Sequence, residues 1–67
     1  MKSKAELKSD CKRFAYVYGI ELSGSERNGI AVLCEDYATA FDTWAEVYAV
    51  FCACREGKTF REACKLV

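Results

Sequence analysis

The chain is 67 residues long, and its ten lysines and arginines balance ten aspartates and glutamates for a formal net charge of zero. That balance gives no overall positive field for holding nucleic acid, while 52% hydrophobic and 13% aromatic residues exclude a disordered tail. The length admits one domain, residues 1–67, with a core so small that stability is marginal without a staple or a partner.

Ser3-Lys4-Ala5-Glu6 is a capping box, in which the serine hydroxyl and the glutamate carboxylate each satisfy a backbone N–H at a helix start. The helix it opens is predicted over about residues 4–18. Leu7, Cys11, Phe14 and Tyr18, spaced 4-3-4, form its apolar stripe, and Gly19 is a left-handed stop. Residues 20–29 read as a connector, with Ser23-Gly24-Ser25 and Asn28-Gly29 as breakers and Ser25 or Asn28 as the next N-cap. A long second helix is predicted over about residues 30–56, ending at Gly57. Its signature is Tyr37, Phe41, Trp44, Tyr48 and Phe51, whose 4-3-4-3 spacing places five aromatic rings on one helical stripe, read as core. Thr59-Phe60-Arg61-Glu62 is another capping box and opens a third helix, about residues 60–67, with Phe60, Ala63, Cys64 and Val67 apolar.

The predicted fold class is therefore all-α: a small three-helix domain whose long central helix (about 30–56) is covered by an N-terminal helix (about 4–18) and a short C-terminal helix (about 60–67). One pattern competes. Tyr16 to Leu22 is β-prone, and Asn28-Gly29 followed by Ile30-Ala31-Val32-Leu33 would close a hairpin in a small α+β fold. The stripe from Leu7 through Tyr18 and the marginal stability of two isolated strands favour the all-α reading.

Five cysteines (Cys11, Cys34, Cys52, Cys54, Cys64) and no histidine make a poor metal set. Structural zinc uses paired Cys-x-x-Cys knuckles or histidines, and each cysteine here falls at an apolar helical position. No metal and no cofactor are expected. The odd count, and an N-terminus that leads into no apolar signal core, suit a reduced cytoplasmic chain rather than a secreted scaffold. The uncharged run Val47–Cys54 is eight residues, short of the ~20 that span a membrane, so no membrane association is expected. Without histidine, a phosphate loop or a nucleophile elbow, catalysis is not expected either. Cys11 stands beside two basic residues, Lys12 and Arg13, and is the candidate thiol for activation by cations.

Two surfaces follow from the helical reading. Val47, Val50 and Cys54 form an apolar flank beside the aromatic stripe that the short helices would leave bare, a candidate association surface for a homodimer. Glu35, Asp42 and Glu46 form an acidic ridge opposite the stripe, a candidate site for a basic partner. The expected function is a non-catalytic helical binding protein that docks on a larger protein as an inhibitor or regulator, of the kind phages and mobile elements direct at defence systems. The alternative is a small nucleic-acid-binding transcriptional regulator, resting on Lys4, Lys8, Lys12 and Arg13 with Lys58, Arg61 and Lys65.

Overall fold

The computed structural model describes residues 2–35 and 37–65. Three helices and a three-stranded sheet follow one another as α1 (Lys4–Tyr18), β1 (Glu21–Ser25), β2 (Gly29–Cys34), β3 (Tyr37–Phe41), α2 (Trp44–Arg55) and α3 (Phe60–Lys65). This is an α+β fold, and it overturns the all-α expectation. The first helix keeps its expected bounds, and the third begins at Phe60; Leu66 and Val67, assigned to it from sequence, lie outside the described residues, as does Asp36. The supposed central helix of residues 30–56 is in fact β2, β3 and the much shorter α2.

The sheet is an antiparallel meander in the order β1-β2-β3. Glu21 pairs with Leu33 and Ser25 with Gly29 across the first hairpin; Ile30 pairs with Phe41 and Cys34 with Tyr37 across the second. Alternation along β2 buries Ile30 and Val32 and exposes Ala31 and Leu33, the period-2 signature of a sheet with one face covered. The helices cover that face. Gly24 faces Ile30 across the first hairpin at φ +89°, and a Cβ there would meet the Gly29 carbonyl oxygen at 2.2 Å. Only glycine fits that approach.

The aromatic spacing misled for a geometric reason. Residues four apart share a face in a strand as well as in a helix, so Tyr37 and Phe41 belong to one face of β3 while Trp44, Tyr48 and Phe51 belong to α2. The step from Phe41 to Trp44 crosses the strand–helix link. Thr43 is the N-cap of α2: its hydroxyl accepts from the Glu46 N–H at 3.2 Å, and the Glu46 carboxylate accepts from the Thr43 N–H at 3.1 Å. Thr43-Trp44-Ala45-Glu46 is thus a third capping box, and it marks where the helix begins.

The core is one cluster drawn from every element but β1: Cys11 and Ala15 of α1, Ile30 and Val32 of β2, Phe41 of β3, Trp44, Val47, Val50, Phe51 and Ala53 of α2, and Ala63 of α3, with Ile20 between α1 and β1. From β1, half-buried Leu22 packs against it. Val47 and Val50 are 0% exposed. Two of the three residues offered from sequence as an association surface are therefore internal, in a core cluster shared by the helices and the sheet, and Cys54 is half-buried beside them. Of the five stripe aromatics, Phe41, Trp44 and Phe51 are buried and Tyr37 and Tyr48 are half-buried.

Trp44 is 6% exposed at the start of α2. Trp44→Ala is expected to cost about 3–5 kcal/mol, comparable to the roughly 5 kcal/mol total of so small a domain. Chemical denaturation checks it: a variant unfolding within about 1 kcal/mol of the parent contradicts this burial. Glu35 takes φ 56° in the β2–β3 turn, a left-handed conformation that costs a side chain about 1–2 kcal/mol. Glycine gives back about 0.5–1 kcal/mol of that in unfolded-chain entropy. Glu35→Gly is thus expected to raise stability by about 0.5–1 kcal/mol, read in the same denaturation experiment.

Candidate functional site

Two elements start from one end of the molecule and leave a furrow between them. Glu26, in the β1–β2 turn, ties the two starts together. Its carboxylate accepts from the Trp44 N–H at 3.0 Å and lies 3.4 Å from the Lys4 ammonium. The hydrogen bond from Trp44, and then Lys4, holds this carboxylate below its ordinary pKa. A carboxylate here also meets the positive end of the α2 dipole. With the starts fixed, α1 and α2 pack along their lengths, and Phe14 stacks on Phe51 at 4.5 Å and on Tyr18 at 4.3 Å between ring centroids.

The furrow this leaves holds about 350 Å³. From α1 it is lined by Arg13, Phe14, Val17 and Tyr18; from α2, by Tyr48, Phe51, Cys52 and Arg55. Its floor is apolar and its rim is charged. Lys2 and Asp10 close one part of the rim as an ion pair at 2.6 Å. Their hydrogen bond raises the lysine pKa and lowers that of the aspartate. Val17 is 67% and Tyr18 62% exposed, beside Tyr16 at 89%. Three consecutive large side chains in water at the end of α1 are the largest apolar exposure among the described residues.

The acidic ridge proposed from sequence does not form on one helix. Glu35 lies in the β2–β3 turn, Asp42 in the link after β3, and Glu46 in the first turn of α2. The Glu46 carboxylate is engaged at the cap, accepting from the backbone N–H groups of Asp42 at 3.2 Å and Thr43. Of the flank residues, Cys54 is half-buried beside the two internal valines. The basic residues invoked for nucleic acid are partly committed as well: Lys4 to Glu26, and Arg61 over the Tyr37 ring at 4.9 Å.

Three of the thiols are held toward the protonated form by their surroundings. Cys11 is fully buried, donates toward the Trp44 carbonyl oxygen at 3.9 Å, and has its pKa pushed up to about 11 by burial. It is a core residue despite its basic neighbours in sequence. Cys54 and Cys64 are raised too, by burial first and then by neighbouring thiols, including Cys34. Among the described residues no group of three histidine, cysteine, aspartate or glutamate side chains gathers where it could hold a metal ion. No helix of the described residues is long and apolar enough to cross a membrane.

Sequence reasoning passed over Glu26, Val17 and Arg55 as site residues, and assigned Arg13 only to a basic face for nucleic acid. For Val17 a signal was present, since it stands beside Tyr18 and three residues after Phe14, widening the apolar sector of α1 beyond its stripe. The chain matches no protein-family model, no curated protein and no solved structure.

Because Glu26 has a depressed folded pKa, its stabilisation is complete above the unfolded carboxylate pKa and fades as pH falls through the folded value. Asp10 acts in the same direction. Melting temperatures taken from pH 7 down to about pH 2 should show Glu26→Gln below the parent at neutral pH, the two converging in acid. A gap of constant size across that range would contradict the assigned role of the carboxylate.

Proposed function

We propose that the chain is a non-catalytic docking module that seats an amphipathic segment of a larger protein in the furrow between α1 and α2, and acts as an inhibitor or regulator by occupying that partner. The observation that carries this reading is the exposure of Val17 and Tyr18 on the rim of an aromatic-floored furrow. Water-exposed anchors beside a preformed apolar groove are the arrangement by which helical bundles take up partner segments. The charged groups at the furrow are an ion pair and two guanidinium groups, beside the Tyr18 and Tyr48 hydroxyls and the Cys52 thiol. The guanidinium groups serve binding rather than proton transfer, since an arginine does not deprotonate in proteins.

Covering Val17 and Tyr18 contributes roughly 1.5–3 kcal/mol each at most, part of it offset by ordering and immobilisation. The affinity expected from these two alone is weak, roughly millimolar to tens of micromolar at best, so tighter binding draws on the rest of the furrow. The homodimer inferred from sequence loses its main motive, because Val47 and Val50, two of the three flank residues, lie inside the fold.

Val17→Gln tests the reading without adding charge. Val17 is exposed, so its replacement should leave stability within about 0.5 kcal/mol while weakening capture of the partner about tenfold. The measurement is comparative: co-purification from the native host with parent and variant baits, alongside thermal melts of both. Equal recovery of the same partner by both baits would place the contact elsewhere on the surface.

A further inference from the structure

Resting on the docking reading, we infer that the furrow is selective for an acidic amphipathic helix, with carboxylates of the partner seated against Arg13 and Arg55 on either wall. Three cations (Lys2, Arg13, Arg55) and one carboxylate (Asp10) line the furrow. The carboxylate is already taken by Lys2 at 2.6 Å. Arg13 also feels Asp10 electrostatically, but as the weakest of that carboxylate's perturbers. Neither arginine forms a salt bridge among the described residues.

Among the described residues no carboxylate forms an ion pair with either arginine. Glu26 and Glu46 are engaged at the start of α2, Glu35 and Asp42 flank β3, and Glu56 lines a second hollow with Arg55 and Cys52 without pairing to Arg55. Arg55 has a second use, since it lies in the last turn of α2 and suits the negative end of the helix dipole. Arg13 has none of this kind. It sits in the body of α1, whose own last turn holds no basic residue. Apart from its weak attraction to Asp10, three residues before it on α1, its guanidinium is left facing the furrow it lines. A guanidinium takes a carboxylate through two parallel N–H···O bonds, so arginines on opposite walls favour an anionic occupant and orient it. A helical occupant fits because the cleft runs between two helices and its floor, Phe14 and Phe51, is a strip of stacked rings. Apolar residues at i, i+3, i+4 and i+7 would lie on that strip, with the flanking acids at the rim.

The test uses designed peptides on the full chain. One is an amphipathic helix of about 18 residues, five turns, with leucine on one face and glutamate on its flanks; a second replaces every glutamate with glutamine. Binding is followed by fluorescence anisotropy at low and high salt, for the parent, for Arg13→Gln/Arg55→Gln, and for Val17→Gln, with circular dichroism to confirm that each is folded. The acidic peptide is expected to bind the parent about five- to tenfold more tightly than the neutral one. The gap should close in the double arginine variant and at high salt, as for screened, exposed ion pairs. Val17→Gln should weaken both peptides alike. Equal binding of the two peptides to the parent would overturn the acidic preference while leaving apolar docking intact. Binding of neither peptide would overturn docking in this furrow altogether. A single-stranded oligothymidylate probe that bound as tightly as the acidic peptide would mark a general polyanion site and overturn the assignment to a helical protein segment.

Discussion

Ile30, Val32, Val47 and Val50 are effectively sealed from water, and their joint burial is the constraint on which the rest of this small fold depends. A three-stranded sheet has one apolar face to hide, and two isolated strands would be marginal on their own. The valines of α2 lie in the same cluster as the inner side chains of β2, so neither sheet nor helix has a stable place without the other. Each side chain contributes roughly 1.5–3 kcal/mol of transfer free energy, against a large loss of chain entropy. The margin is narrow, and the remaining elements serve to hold this contact in register.

The register is held at the start of α2. Thr43 and Glu46 satisfy backbone N–H groups at that end from within the chain segment, and Glu26 does so from the β1–β2 turn while reaching Lys4 at the start of α1. One carboxylate thereby links a hairpin turn and two helix starts. Because α1 and α2 are fixed at one end, their far portions carry Phe14, Tyr18 and Phe51 into a stacked series. The furrow beside them is a consequence of that pairing. Acidic side chains that looked from sequence like a partner surface are, for Glu46, helix-capping groups of the fold itself.

The apolar surface that a binding function requires is still present, displaced from where helical periodicity had put it. Val47 and Val50 supply the core, whereas Val17 and Tyr18 stand in water at the rim of a groove with cations on both walls. Those features favour a docking role over chemistry, and they favour a partner with apolar and acidic character over a bare polyanion. The outer face of the sheet exposes Ala31, Leu33, Ala38 and Ala40, mostly small side chains by comparison.

Local chemistry was legible in the amino-acid order. The Ser3–Glu6 and Thr59–Glu62 boxes, the stop at Gly19, which takes φ 70°, and the break at Gly57, which takes φ 105°, are all set by residues within a few positions of one another. Trp44 and Phe51 could be assigned to the core because large aromatic side chains at helical spacing have few other places in so short a chain. The Asn28-Gly29 turn before Ile30-Ala31-Val32-Leu33 offered a hairpin as a competing pattern, and it was the tertiary structure that decided for strands over residues 29–34 and 37–41. A spacing of four is common to both secondary structures, and a strand is stabilised by partners brought from elsewhere in the chain, here Leu22 against Val32 and Ile30 against Phe41. It decided for the same reason which apolar side chains remained in water: Val50 and Val17 are both valines in helices, and only the position of the sheet and of α2 buries one and exposes the other.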